Sequence, residues 1–292
     1  MYNEIGQRTF LQNVITGSIA GSSVFVSTLP LDYIKQWRQS NYSFLDIRNT
    51  IKTNGYKVLF RGGMIGSSVI APQIATKLGA LSLLNNTIPF NKDKKQNQNK
   101  IKRKMLLGFL AGYVDGFIFG PVLAIQGYQQ FNSKATIKDS FKLIKQTSIT
   151  KYCYPLALRN AFYTMPVFGL VYPLQSILFK RRKDKTLLRH TTEIFISASI
   201  LNIPGTLLCS PFDVIRAQQI KLIINSKSMN NHTYNHTYNN TYNHTLNIIK
   251  HIWNKNGFRG FYSGYASLYL NFAMRFPLTL MVNEYIGIKL FT

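Results

Sequence analysis

Three stretches, PLDYIKQWRQ (30–39), PVLAIQGYQQ (121–130) and PFDVIRAQQI (211–220), decide how this chain is read. Their opening prolines, Pro30, Pro121 and Pro211, are 91 and 90 residues apart. A period of that length points to three copies of one supersecondary unit. The residues upstream agree. Gly17 and Gly21 precede Pro30 by 13 and 9 residues, and Gly108 and Gly112 precede Pro121 by the same offsets. The third copy has Ala198 and Asn202 there, so its small-residue face is half kept. Small residues four apart in an apolar stretch let helix backbones approach closely within a membrane.

The 292 residues are 46% hydrophobic and 15% charged. The apolar residues gather into blocks near 10–34, 64–90, 105–131, 153–179, 192–224 and 262–291. Each reaches the roughly 20 residues that a membrane span requires. Two blocks per copy predict an all-α membrane protein, with six transmembrane helices in three pseudo-threefold repeats. The whole chain, 1–292, is one domain, with repeats at 1–92, 100–185 and 189–292.

A net charge of +25 is compatible with nucleic-acid binding. The basic runs NKDKKQNQNKIKRK (91–104) and KRRKDK (180–185) lie between apolar spans, however, without the aromatic spacing of a nucleic-acid module. They read better as loops beside acidic headgroups or against an acidic partner. Membrane lipids are therefore the expected partners, and nucleic acid is not. Cys153 and Cys209 alone exclude a disulfide framework and a cysteine-rich metal site. MYNEIGQRTF (1–10) has neither a secretory apolar core nor an Arg- and Ser-rich transit helix, so organelle entry would rely on internal signals.

Proline ends or kinks a helix because it lacks an amide hydrogen and its ring collides with the preceding turn. Asp32 and Lys35 follow Pro30, and Asp213 and Arg216 follow Pro211. Such charges in an apolar helix are costly unless paired. Downstream, NGYKVLFRG (54–62) and NGFRGFYSG (256–264) each hold two glycines seven apart.

These motifs resemble the mitochondrial carrier family, whose repeat reads Pro-x-Asp/Glu-x-x-Lys/Arg, a short matrix-side helix, then Asp/Glu-Gly-x4-aromatic-Lys/Arg-Gly. The resemblance covers essentially the whole chain and is degenerate in the second copy. It implies six tilted helices around a pseudo-threefold axis in the inner mitochondrial membrane. Asn54 and Asn256 replace the usual acid, and Ser263 replaces the base held by Arg61. The third copy is longer by a polar period-four tract, NHTYNHTYNNTYNHTL (231–246), expected as a mobile insertion over 225–245. Its His232, His236 and His244 could bind stray metal, but no resident metal is expected. After it, Leu246, Ile249 and Trp253 match Phe44, Ile47 and Ile51, which predicts amphipathic surface helices.

In this family two charge networks alternate. The resemblance implies a matrix gate of Asp32 with Gln126, Leu123 with Arg216, and Asp213 with Lys35, of which only the last can be an ion pair; Gln126 can still hydrogen-bond, but Leu123 leaves Arg216 without its expected partner. Gln39 and Gln130 match the bracing positions, and Ile220 is their third counterpart. At the opposite mouth the gate positions are Ser82 and Asn85, residues 172–176, and Glu284 and Gly287, so a single charge remains. Substrate-contact positions carry over to Val69, to Arg159 with Asn160, and to Asn271. Arg159 is the only charge between Lys151 and Lys180, and an intramembrane arginine is a candidate functional residue. It could hold a carboxylate or phosphate, or snorkel to a headgroup. Lys77, Asp115 and Arg275 are further charges within spans, and Asp115 could pair with a neighbouring base. The resemblance also implies cardiolipin at the helix starts beside Arg61, Gly62 and Gly264; glycines needed only for tight turns are the alternative.

No catalytic constellation is present, so no enzyme and no cofactor other than bound cardiolipin is expected. The worn gates favour a non-transporting accessory subunit docked to a larger inner-membrane, respiratory assembly. The alternative is an active carrier exchanging a small anionic metabolite that bears a carboxylate or phosphate.

Overall fold

The computed structural model describes residues 9–87, 96–132, 135–146, 150–179, 187–228 and 245–291. Among them the regular structure is helical, with no strand. The long helices are α1 (Phe10–Gln39), α3 (Gly63–Thr87), α4 (Gln96–Phe131), α6 (Thr150–Leu178), α7 (Leu187–Ser228) and α9 (Tyr265–Phe291). Shorter helices follow the odd member of each repeat: α2 (Phe44–Asn54), α5 (Ile137–Gln146) and α8 (Thr245–Asn256). The long helices close a ring in which α1 packs on α3, α3 on α4, α4 on α6, α6 on α7, α7 on α9, and α9 on α1. Among the described residues, five segments are long and apolar enough to cross a membrane: Val14–Gln39, Tyr56–Lys77, Ile101–Phe131, Cys153–Leu178 and Arg189–Leu222. The sixth, α9, also spans 27 residues but carries Asn271 and Arg275.

The repeat prolines do not end their helices. Pro30, Pro121 and Pro211 lie inside α1, α4 and α7, which continue for 9, 10 and 17 residues beyond them. One missing amide per helix is tolerated where neighbouring helices surround the break. Two boundaries also move. Helix α4 starts at Gln96, ahead of the expected repeat start at 100, and α7 runs to Ser228, into the expected insertion. The rest of that insertion, 229–244, with His232, His236 and His244, lies outside the described residues, as do 91–95 and 180–185 of the basic runs.

Glycine spacing sets the tightest seam. Gly108, Gly112, Gly116 and Gly120 form one face of α4 against the backbone of α6. A Cβ on Gly112 would run into the Thr164 hydroxyl and come within 2.6 Å of the Asn160 carbonyl oxygen; one on Gly116 would come within 2.6 Å of Ala157 Cα. The Thr164 hydroxyl donates across the seam to the Gly108 carbonyl at 2.7 Å. In the third copy Asn202 does a different job. It accepts from the Tyr163 hydroxyl at 2.8 Å and donates to the Phe272 carbonyl at 2.5 Å, tying α6, α7 and α9 together.

The motif glycines are turn glycines. Gly55, Gly62, Gly257 and Gly264 all have positive φ, between 58° and 74°, a region that side chains with a Cβ adopt at a cost. Gly62 also lies against Gln126 of α4, and Gly264 against Arg38 and Gln39 at the end of α1. Each even helix in copies one and three thus starts on the proline end of an odd helix.

The second copy keeps a signal that its missing glycines hide. Ser43 and Asp46 form a capping box at the start of α2, and Thr136 and Asp139 make the same reciprocal bonds at α5. The Ser43 hydroxyl and amide hold the exposed Asp46 carboxyl below its ordinary pKa. In α8 the buried pair is Ile248 and Ile252, whereas Leu246 and Trp253 are exposed. Leu246 is exposed as Phe44 is, and Ile249 faces its core as Ile47 does, whereas Trp253 is exposed and its counterpart Ile51 packs inward.

Replacing Gly116 with Leu should separate α4 from α6 and cost roughly 1–3 kcal/mol or more, whereas Gly79→Ala, which meets no neighbouring atom within 4 Å, should not destabilise the fold. Unfolding temperatures of the two variants in detergent check this; equal values would contradict the backbone seam.

Candidate functional site

The site grows from the segments just past the prolines, where α1, α4 and α7 converge inside the ring. Lys35 Nζ reaches Asp213 Oδ2 at 3.2 Å and Asp32 Oδ1, one turn back, at 3.3 Å. Gln126 Nε2 donates to Asp32 Oδ2 at 3.1 Å. Arg216 pairs with Asp213 Oδ1 at 3.5 Å, and its Nη2 donates to the Leu123 main-chain carbonyl at 3.0 Å. A contact between repeats forms at each of these three positions. Arg216 is not left without its partner; the backbone at Leu123 supplies the acceptor that the side chain lacks. The bracing glutamines do their part: Gln130 donates to Asp32 at 3.0 Å and Gln39 to Asp213 at 3.1 Å. Ile220 has no such group and packs with Ala124, Ile125 and Tyr128.

Aromatic contacts close the same end. Trp37 Nε1 donates to the Gln130 carbonyl at 3.1 Å, and its ring packs on Tyr42 and Phe131. Lys221 of α7 sits 4.0 Å over the Tyr42 ring and donates to the Ser40 carbonyl at 2.7 Å. Nothing in the repeat motif announces Tyr42 or Lys221.

Arg159 turns inward rather than snorkelling. Its Nε lies 3.3 Å from Asp213 Oδ1, its guanidinium 5.1 Å from the centre of the Phe272 ring, and its side chain is only 12% exposed. Arg275 of α9 approaches Asp32 at 4.0 Å while stacked 4.3 Å over Phe25, and is 27% exposed. The sequence marked Arg275 as a charge in a span without giving it a partner. Around Asp32 and Asp213, therefore, the described residues place four cations: Lys35, Arg159, Arg216 and Arg275. Two positive charges exceed the carboxylates, and they belong most naturally to the two partly exposed arginines. Asp115 does find a base, Lys77, at 3.1 Å.

The other carried-over positions separate. Asn160 joins the network through Arg159 Nη1 at 3.1 Å. Asn271 is buried, and neither Oδ1 nor Nδ2 has a hydrogen-bond partner. Val69 is buried and offers only apolar surface. Arg61 donates to the Ala135 carbonyl at 2.9 Å, tying α3 to the start of α5. Ser263 bonds Asn41 and the Arg38 carbonyl. Arg61, and Ser263 next to Gly264, thus each have a structural use. At the opposite mouth the side chains of Ser82, Asn85, Tyr172 and Glu284 lie outside the described residues.

Comparison with known proteins now bears on this arrangement. The family model for mitochondrial carrier protein matches residues 189–291, the third repeat. Relatives extend the match across all three repeats. One, named mitochondrial 2-oxodicarboxylate carrier 2, from Saccharomyces cerevisiae, is 23% identical over 94% of this chain and 92% of its own. The chain is similar to the mitochondrial carrier family, by its third repeat and by relatives that span all three. A Dictyostelium discoideum protein named probable mitochondrial 2-oxodicarboxylate carrier is 22% identical over 94% of the chain and 89% of its own length. A Schizosaccharomyces pombe protein of the same name is 25% identical over 69% of the chain and 71% of its own. This similarity and the long apolar helices together support a mitochondrial membrane protein that crosses the bilayer several times.

Asp213→Asn should leave Lys35, Arg159 and Arg216 buried around a neutral amide, at a cost of roughly 3–5 kcal/mol. Leu123→Ala, which keeps the main-chain carbonyl, should be much milder. Thermal unfolding of both variants tests the difference, and equal losses would contradict the pairing described.

Proposed function

We propose that this carrier moves a small dicarboxylate, of the 2-oxo acid class, across the inner mitochondrial membrane. The observation that carries the reading is the excess of two positive charges around Asp32 and Asp213, held on side chains of α6 and α9 that stay partly exposed. A dianion neutralises that excess, and arginine's planar fork suits carboxylates. Arg159 takes one carboxylate and Arg275 the other. Asn271, one turn from Arg275, has an unpaired buried amide for the keto oxygen, since buried polar groups ordinarily find partners. The relatives' names agree with this substrate class.

The substituted gate positions alone favour an accessory subunit. Two findings weigh the other way. The contacts between repeats at the proline end are complete despite Gln126 and Leu123, and the relatives are named as carriers rather than as subunits of an assembly. Cardiolipin at the positive-φ glycines of α3 and α9 remains part of the proposal, with those helix starts as its phosphate contacts.

The purified protein in liposomes loaded with 2-oxoglutarate should exchange external labelled 2-oxoglutarate saturably. Arg159→Gln should lower that exchange by at least about tenfold, the equivalent of one charge-assisted contact. No exchange by the unmodified protein would return the accessory reading; unchanged exchange by the variant would remove Arg159 from the site.

A further inference from the structure

A second group of charges lies beside the site, and the repeat motif does not account for it. Lys77 of α3, Asp115 of α4 and Asn160 of α6 form a chain that ends on Arg159. Asp115 is fully buried. Its Oδ2 receives Lys77 Nζ at 3.1 Å and Asn160 Nδ2 at 2.8 Å. Asn160 Oδ1 in turn receives Arg159 Nη1 at 3.1 Å, and Arg159 Nε faces Asp213 at 3.3 Å.

The chemistry of the chain fixes its direction. An ionised carboxylate accepts hydrogen bonds and donates none. Opposite Asp115, therefore, Asn160 must present its NH2 group, and its carbonyl oxygen is left pointing at the guanidinium. With any group there that could both donate and accept, the amide could turn over and set its NH2 against Arg159, a repulsive contact. Lys77 neutralises Asp115, so the carboxylate does not compete with a substrate for Arg159. A buried charge would otherwise be too costly to keep for a geometric purpose.

We propose that Asp115, neutralised by Lys77, is a positioning residue: it locks the orientation of Asn160 and thereby aims the Arg159 fork at the substrate carboxylate. The inference rests on Arg159 binding the substrate, as argued above. The three helices involved, α3, α4 and α6, come from the first and second repeats. The lock therefore gives one side of the ring a feature that the pseudo-threefold motif does not encode.

The test replaces the ion pair as a whole, Lys77→Met with Asp115→Asn, so that no unpaired charge is left in the ring. The readouts are unfolding temperature, KM and maximal rate for 2-oxoglutarate exchange in liposomes. The expected result is an unfolding temperature near that of the unmodified protein, KM raised by roughly tenfold and an unchanged maximal rate. Adding Arg159→Lys to the double variant should then raise KM less than the same change does in the unmodified protein, because the fork is already misaimed. An unchanged KM would overturn the proposal, as would full additivity with Arg159→Lys. A double variant that fails to fold would assign the pair a structural role and overturn it too. If the unmodified protein exchanges no dicarboxylate, the substrate reading fails first, and the positioning role falls with it.

Discussion

Two carboxylates buried in a ring of apolar helices must be matched by cations, and this requirement organises the molecule. Asp32 and Asp213 are almost wholly enclosed, where an unpaired charge would cost several kcal/mol. Their partners come from α1, α4, α6, α7 and α9, so satisfying two side chains draws five helices toward one end. The convergence past the repeat prolines is the geometric result. The partly exposed arginines left over on the other side of those carboxylates are the chemical one.

The ring is threefold in plan but not in construction. The α4–α6 seam is backbone against backbone, with no side-chain space in which a second arrangement could form. Around α7, Asn202 replaces close approach with hydrogen bonds to α6 and α9. At the proline end, one contact between repeats is an ion pair, one an amide on a carboxylate, and one a guanidinium on a main-chain carbonyl. Trp37, Tyr42, Phe131 and Lys221 add aromatic and cation–ring contacts at the same end. Loss of formal charge has therefore not meant loss of contact.

Much of this was legible in the sequence because it repeats. The proline period with the six apolar blocks marked the six long helices, and the resemblance to the carrier repeat marked the Lys35–Asp213 pair. What sequence could not supply falls into two kinds. Arg275 with Asp32, and Lys77 with Asp115, join helices whose relative rotation no motif fixes. The Arg216 bond to the Leu123 carbonyl uses a backbone atom, so its residue type carries no signal. One omission was avoidable. Ser43-x-x-Asp46 and Thr136-x-x-Asp139 are capping boxes that could be read directly, and they restore the second repeat's helix without its glycines. Trp253 is exposed where its counterpart Ile51 packs inward, because Ile248 and Ile252 hold the buried face of α8.

The central claim is that the ring interior carries two uncompensated positive charges matched to a dianion. Calorimetric titration of the purified protein with 2-oxoglutarate and with 2-oxopentanoate, which has the same chain length but one carboxylate, tests it most directly. The account predicts binding of the dianion at least about tenfold tighter, with the difference shrinking as salt is raised. Equal affinity for the two acids would contradict it.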